Sequence, residues 1–293
     1  MTTETVEPTV LISERVGQLK RSVLKIAMSV ARKLPFASDY YNYYWQFPRR
    51  MTACRGIYHS FAEAEALQSL PSDARMGHNQ SDIHEHDAID SLTSGWALGE
   101  FNPQDYPVLV WLGSAFRQSS AVFDFGGNLG QAYYAYRKYL QYPQDLRWLV
   151  CEVPEIVKAG ERLATQSNSP GLSFTHEFTD IGEIDILLTG GTLQYLETSL
   201  ADMLKPMKSK PHHILINQMP LYDGKSFVTL QNIGYAFTPY KIWNRAEFIA
   251  TLESVGYELV DSWSYNRTCS IPFHRDRFVS AYHGMYFRFG SGK

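Results

Sequence analysis

From residue 121 onward, short apolar runs alternate with amphipathic stretches. AVFDF (121–125), LRWLVCEV (146–153), LSFTHEF (172–178), EIDILLTGG (183–191) and HHILINQMPL (212–221) predict buried strands. Between them, QAYYAYRKYL (131–140), PEIVKAGERLATQ (154–166), TLQYLETSLADMLK (192–205) and NRAEFIATLESVG (244–256) carry apolar residues at helical spacing. Pro154 opens one helix at its first turn and Gly256 closes another. YELVDSW (257–263) and AYHGMYFRF (281–289) complete seven strands. Strands alternating with helices predict an α/β, Rossmann-like, doubly wound seven-stranded sheet. It should be mostly parallel, with an antiparallel last strand because no long helix precedes the final run.

The first part of the chain is patterned differently. In residues 19–34, Leu19, Val23, Ile26, Ala27, Val30 and Leu34 share one helical face, while Lys20, Arg21, Lys25, Arg32 and Lys33 lie mostly off it. Pro35 stops this helix. Such a helix can lie on an anionic membrane surface or pack against the protein or a partner subunit. SDYYNYYWQF (38–47) is an aromatic cluster suited to a cap or a dimer contact. GIYHSFAEAEALQSL (56–70) predicts a helix in which Ser60 is the N-cap and Glu63 completes a capping box. NPQDYP (102–107) reads as a turn, and VLVWLGSAF (108–116) as a helix or a strand. TPYKIWNR (238–245) reads as a loop. The expected organisation is a tail and N-terminal helical extension over 1–50, a helical cap over 51–118 and the sheet domain over 119–293.

Composition narrows the chemistry. Apolar residues make up 44% of the 293 and charged residues 19%, which fits a packed core. A net charge of −3 gives no support to a nucleic-acid groove. Cys54, Cys151 and Cys269 are widely spaced and form neither a zinc knuckle nor a disulfide framework. A reduced, cytoplasmic chain is expected, without a membrane span or a secretory leader.

The glycine loop DFGGNLG (124–130) turns the first strand into a helix. Its Gly126, Gly127 and Gly130 do not match the dinucleotide spacing G-x-G-x-x-G, and no Walker GK[ST] follows. Asp124 ends the strand just before the loop, where it would repel a pyrophosphate and attract a cation. Glu152 ends the second strand, beside the loop in a doubly wound sheet, where an acid can accept ribose hydroxyls.

DFGGNLG resembles motif I of the class I S-adenosylmethionine-dependent methyltransferases, with Asn128 at the middle glycine. That cofactor carries an ammonium and a sulfonium and no phosphate, which suits Asp124. IDILLTGGTLQYLE resembles the fourth strand and following helix of the same fold, with Gln194 where His is common. RGIYHSFAEA, DYPVLVWL and the run from Leu230 to Trp263 are similar to a family of bacterial methyltransferases often found near surface-polysaccharide genes. The resemblance covers about residues 55 to 289. It implies S-adenosylmethionine as cofactor and methyl transfer to a saccharide or another small polar metabolite. On its pattern, Asp124, Gly126, Gly127, Asn128 and Gly130 surround the methionine part. Glu152 holds the ribose, Val153 faces the adenine, and Glu177 meets the adenine amine. Thr189, Gly191 and Thr192 line the floor near the sulfonium.

An oxygen acceptor of high pKa needs a general base. The candidates are His283, Gln194 and Tyr240, with His84, His86, Asp87, His176, Tyr195, His274 and Tyr282 behind them. Gln218, Tyr222, Asp223 and Trp243 are candidates for the acceptor pocket. The HEHD stretch (84–87) is not expected to hold a metal, because helical residues two apart do not face each other. The alternative is a non-catalytic binding or assembly protein that keeps the fold, suggested by Asn128 and Gln194.

Overall fold

The computed structural model describes residues 35–66, 75–77 and 101–290. The expected helix over 19–34 and the HEHD stretch lie outside the described residues. In chain order the elements are α1 (Pro35–Tyr41), β1 (Cys54–Tyr58), α2 (Phe61–Glu65), α3 (Tyr106–Ala115), β2 (Ala121–Phe125), α4 (Gln131–Tyr136), β3 (Arg147–Cys151) and α5 (Pro154–Gln166). They continue with β4 (Leu172–Thr175), β5 (Ile186–Gly190), α6 (Leu200–Leu204), β6 (His213–Met219), β7 (Leu221–Tyr222), β8 (Phe227–Asn232) and β9 (Phe237–Asn244). The last are α7 (Arg245–Glu253), β10 (Tyr257–Tyr265) and β11 (Tyr282–Phe289).

The main sheet has seven strands in the order β10-β11-β6-β5-β2-β3-β4. Pairings from β6 through β4 are parallel, and β11 runs antiparallel to both its neighbours. This is the doubly wound, Rossmann-like sheet that the alternating pattern predicts. From β2 the chain adds β3 and β4 on one side, then β5 and β6 on the other. The order therefore reverses between β2 and β5, and a crevice opens there at the carboxyl ends of the strands.

Alternation along each strand divides the core into two layers. Val122, Trp148, Val150, Leu188 and Leu215 face the layer covered by α3, α4 and α5. Phe123, Leu187, Ile214, Ile216 and Phe287 face the layer covered by α6 and α7. Asp124 shares the parity of Val122, so its carboxyl is driven into the first layer, where it is 3% exposed. The ambiguous VLVWLGSAF run is helical. Val108, Leu109, Leu112 and Ala115 are its buried face, and Trp111 stacks on Tyr286 at 4.5 Å.

Four expectations change. GIYHSFAEAEALQSL begins as strand β1, because Cys54 and Arg55 pair with Gln231 and Leu230 of β8. Its helical part is α2, where Ser60 Oγ accepts from Glu63 N at 3.1 Å and the Glu63 carboxylate accepts from His59 N at 2.7 Å. TPYKIWNR is not a loop but most of β9, antiparallel to β8. β1, β8, β9 and β7 form a second, four-stranded sheet. β1 comes from the expected cap and the other three strands from beyond it, so the 118/119 boundary does not separate this sheet. The helix expected over 192–205 is broken into a 3-10 turn, Leu193–Tyr195, and the short α6. Ser199 is extended and caps α6 by accepting from Asp202 N at 3.1 Å, which starts a new helix there.

Candidate functional site

The loop after β2 is built from residues that reach left-handed backbone angles. Gly126, Asn128 and Gly130 have φ of 74°, 53° and 85°. Asn tolerates that region better than other side chains, which explains how it replaces a glycine. The two adjacent glycines are also required by what lies beneath them. A Cβ at Gly126 would stand 2.0 Å from Thr192 Oγ1, and one at Gly127 would stand 2.4 Å from the carboxyl carbon of Asp124. The turn therefore lies directly on the Asp124 carboxyl.

Asp124 has no cationic partner among the described residues. Trp148 Nε1 donates to its Oδ2 at 3.1 Å. Burial pushes its pKa up to about 7, against the Trp148 hydrogen bond, and the nearby Glu152 adds to the rise. Glu152 is held by backbone. Asn128 N donates to one carboxylate oxygen and Val153 N to the other, both at 3.1 Å.

Two cavities meet over this turn. The first, about 820 Å³, is lined by Asn128, Glu152, Val153, Phe178, Thr192 and Leu196. The second, about 630 Å³, is lined by Asp105, Asp124, Gly127, Asn217, Gln218 and Arg267. Gly126, Gln131, Gly190 and Gly191 border both, so they form one groove across the ends of β2 and β5. Each half has the size of a small-molecule site. Phe178 packs edge-on against Phe123 and Phe125, which fixes its ring at the wall of the first cavity.

The second cavity carries a polar network. Asn217 Nδ2 donates to Asp105 Oδ1 at 2.8 Å, and the Tyr136 hydroxyl donates to Asp105 Oδ2 at 3.2 Å. Trp263 Nε1 donates to Asn217 Oδ1 at 3.1 Å and so fixes the amide. Desolvation raises the Asp105 pKa against both hydrogen bonds. Gln218 follows Asn217 with φ of 57°, a strained angle for a residue that is not glycine.

Of the residues chosen from sequence, Asp124, Gly126, Gly127, Asn128, Glu152, Val153, Gly191 and Thr192 line the groove. Three others do not. Gly130 caps α4, with its Cβ position against Leu172. Glu177 turns outward towards His176, 3.5 Å away. Thr189 is buried within β5, its hydroxyl without a hydrogen-bond partner among the described residues. None of the three catalytic candidates lines either cavity. Tyr240 is fully buried and donates to the Tyr282 hydroxyl at 2.9 Å, and burial raises its pKa well above the ordinary value. Gln194 is buried beneath Gly191. His283 contacts Arg245, with nitrogens 2.8 Å apart, and burial and this cation lower its pKa. Sequence reading missed Asp105, Gln131, Phe178 and Arg267. Asp105 sits in a turn motif whose only signal was NPQDYP, and turn residues carry no periodicity.

No protein-family model matches the chain, and no curated protein matches it. Solved structures do. The 1,6-didemethyltoxoflavin-N1-methyltransferase of Burkholderia thailandensis, with S-adenosylhomocysteine bound, is 16% identical at a TM-score of 0.47, covering 76% of this chain and 94% of that one. Magnesium protoporphyrin IX methyltransferase from Synechocystis, also with S-adenosylhomocysteine, is 11% identical at 0.46, covering 72% and 97%. The CcbJ methyltransferase of Streptomyces caelestis is 11% identical at 0.41, covering 65% and 91%.

Proposed function

We propose that this chain is an S-adenosylmethionine-dependent methyltransferase acting on an oxygen of a small polar molecule, saccharides included. The observation that carries the reading is Asp124: a buried carboxylate without a cation among the described residues, under a double-glycine turn, at the switch point of the sheet. A buried carboxylate in that state is costly until an ammonium reaches it. A pyrophosphate there would meet Asp124 and Glu152 and be repelled.

The residues of the groove fit the cofactor. Asp124 pairs with the ammonium, and Gly126 and Gly127 let the amino-acid part lie against bare backbone. Glu152, with both oxygens oriented by N–H groups, accepts from the ribose hydroxyls. Phe178, Val153 and Leu196 give the adenine an apolar slot. Bound there, S-adenosylmethionine supplies an electrophilic methyl group. The protein's task is then alignment and proton removal. Asp105, on the wall of the second cavity, takes the acceptor's proton, while Asn217 and Tyr136 hold its carboxylate in place.

Calorimetry of S-adenosylmethionine and S-adenosylhomocysteine on the wild type and on Asp124→Asn tests this. The expected result is micromolar binding to the wild type, weakened at least tenfold by the substitution. Absence of binding in the wild type would leave the fold as a non-catalytic scaffold and overturn the reading.

A further inference from the structure

Arg267 follows β10 by two residues and reaches the second cavity. Its backbone is pinned: Arg267 N donates to Tyr265 O at 2.7 Å, and Tyr282 N donates to Arg267 O at 2.9 Å. Its guanidinium lies over the Tyr282 ring, 5.0 Å from the centroid. Among the described residues it makes no ion pair with a carboxylate. The groups near enough to act on its charge include the Tyr195, Tyr240, Tyr265 and Tyr282 phenols and the Cys54 thiol. Burial raises all four phenols, so they stay protonated and neutral. Cys54 is hydrogen-bonded to Cys269, which lowers the Cys54 pKa and raises that of Cys269. Arg267 is therefore half-buried at the wall of the cavity, and among the described residues its guanidinium makes no side-chain hydrogen bond or ion pair. A guanidinium in that setting gains most from a carboxylate or phosphate, which takes two parallel N–H bonds.

Position in the sheet says which ligand meets it. Asp124 belongs to β2 and Glu152 directly follows β3, on one side of the switch point. Asn217 and Gln218 end β6, and Arg267 follows β10, on the other side. Gln218 lines the same cavity as Arg267, with its amide oxygen near Gly191. Asn217 already spends its amide on Asp105 and Trp263, so among the described residues Gln218, Arg267 and Gln131 carry side-chain donors not spent on another partner in this half. The cavity is thus bipolar. Asp105 offers an acceptor for a hydroxyl proton, and Arg267 offers donors for an anion.

We propose that Arg267, assisted by Gln218, anchors an anionic oxygen group of the methyl acceptor, so that the substrate is a small hydroxyl compound bearing a carboxylate or phosphate, such as an acidic sugar or hydroxy acid. This rests on the methyltransferase reading, which places the cofactor's nucleoside on the β2–β3 side. The cofactor's own carboxylate is the rival source of the same chemistry.

The full-length protein is saturated with S-adenosylhomocysteine and screened by saturation-transfer NMR against acid and neutral pairs: glucuronate and glucose, gallate and pyrogallol, lactate and lactamide, glucose 6-phosphate and glucose. The expected result is that acid members bind and neutral partners do not. Arg267→Gln should remove that preference while changing the S-adenosylhomocysteine Kd less than twofold. Arg267→Lys, which keeps the charge without the fork, should retain part of the preference, and it stands in if the Gln variant fails to fold. Cys54→Ser should leave the preference intact. Equal binding of acids and neutrals, or no acid bound by the wild type, overturns the proposal. So does a tenfold loss of S-adenosylhomocysteine affinity in Arg267→Gln with 5′-methylthioadenosine affinity unchanged, which would assign the guanidinium to the cofactor carboxylate. Failure of the wild type to bind S-adenosylhomocysteine at all is a different result and refutes the cofactor reading itself.

Discussion

Replacing Asp124 with Asn should make the empty protein more stable and the ligand weaker. Asn keeps the shape and an acceptor for Trp148 but has no charge. In the folded protein burial moves the Asp124 carboxyl from 3.8 to about 7. The folded state thus binds this proton more tightly than the unfolded chain does. Stability is therefore lost as pH rises between those two values and is lowest above the upper one. At pH near 8 the ionised carboxylate costs the empty fold up to about 4 kcal/mol, and below the lower value the cost vanishes. Asp124→Asn removes the penalty and its slope, so its melting temperature should exceed the wild type's at pH 8 and match it in mild acid. Ligand affinity should move the other way. Only the ionised carboxylate pairs with an ammonium, and its fraction rises from about one tenth at pH 6 to about nine tenths at pH 8. Wild-type affinity for S-adenosylhomocysteine should therefore rise about tenfold over that interval, with proton release visible as a dependence of calorimetric enthalpy on buffer. Asp124→Asn should bind weakly, with no such rise and no such release. A variant that is destabilised at pH 8, or that keeps the pH-dependent affinity, would refute the assignment of Asp124 as the buried, ammonium-pairing acid.

Gly127→Ala should cost as much ligand affinity as Asp124→Asn, because the new methyl would overlap the carboxyl 2.4 Å away; affinity within twofold of wild type would count against the turn lying on that acid. Asp105→Asn should lower kcat at least a hundredfold and leave the S-adenosylhomocysteine Kd unchanged. Because burial raises the Asp105 pKa, the wild-type kcat should climb with pH through a value above the ordinary carboxylate range, and the Asn variant should lose that limb. Tyr240→Phe should remove only the hydrogen bond to Tyr282, destabilising the fold by about 1 kcal/mol in urea titration while sparing ligand binding.

The main sheet was legible because its strands are short apolar runs separated by helices of a different period. That Asp124 and Glu152 line one groove was legible because chain order puts the ends of β2 and β3 side by side near the switch point. The second sheet was not legible. Every residue of β8 is buried, and β9 nearly so, because both faces of this hairpin are covered. Alternation, the usual mark of a strand, is erased there. One local signal survived: Asn232 Oδ1 accepts from Gly234 N at 2.7 Å, and Gly234 has φ of 97°, which makes NIG a turn between two β-rich runs. Tyr240 and His283 were candidates by side-chain chemistry alone, and the structure places both outside the lining of the two cavities, in a buried aromatic pair and an ion contact. Only packing separates such uses from catalysis, and packing is long-range: Tyr240 meets Tyr282 across 42 residues.

Three of the fold's unsatisfied polar groups lie near the glycine turn, while Thr229 Oγ1 and Trp243 Nε1 lie in the second sheet. Gln131 Nε2, Thr189 Oγ1 and Gln194 Oε1 are buried without a hydrogen-bond partner among the described residues. Gln131 borders both halves of the groove, Thr189 precedes its Gly190 wall, and Gln194 lies under Gly191. Each such group costs about 1–3 kcal/mol, and a buried unpaired carboxylate costs more. The three near the groove, together with the strained Asn128 and Gln218, mark it as a place where a polar ligand could satisfy groups the protein leaves open. Gln131 Nε2 is the one of these atoms whose side chain borders the open space. It should therefore change most on binding, and in selectively labelled protein its amide should move further downfield with S-adenosylhomocysteine than any other glutamine resonance. A Gln131 signal that stays put while affinity is micromolar would place the ligand elsewhere in the groove.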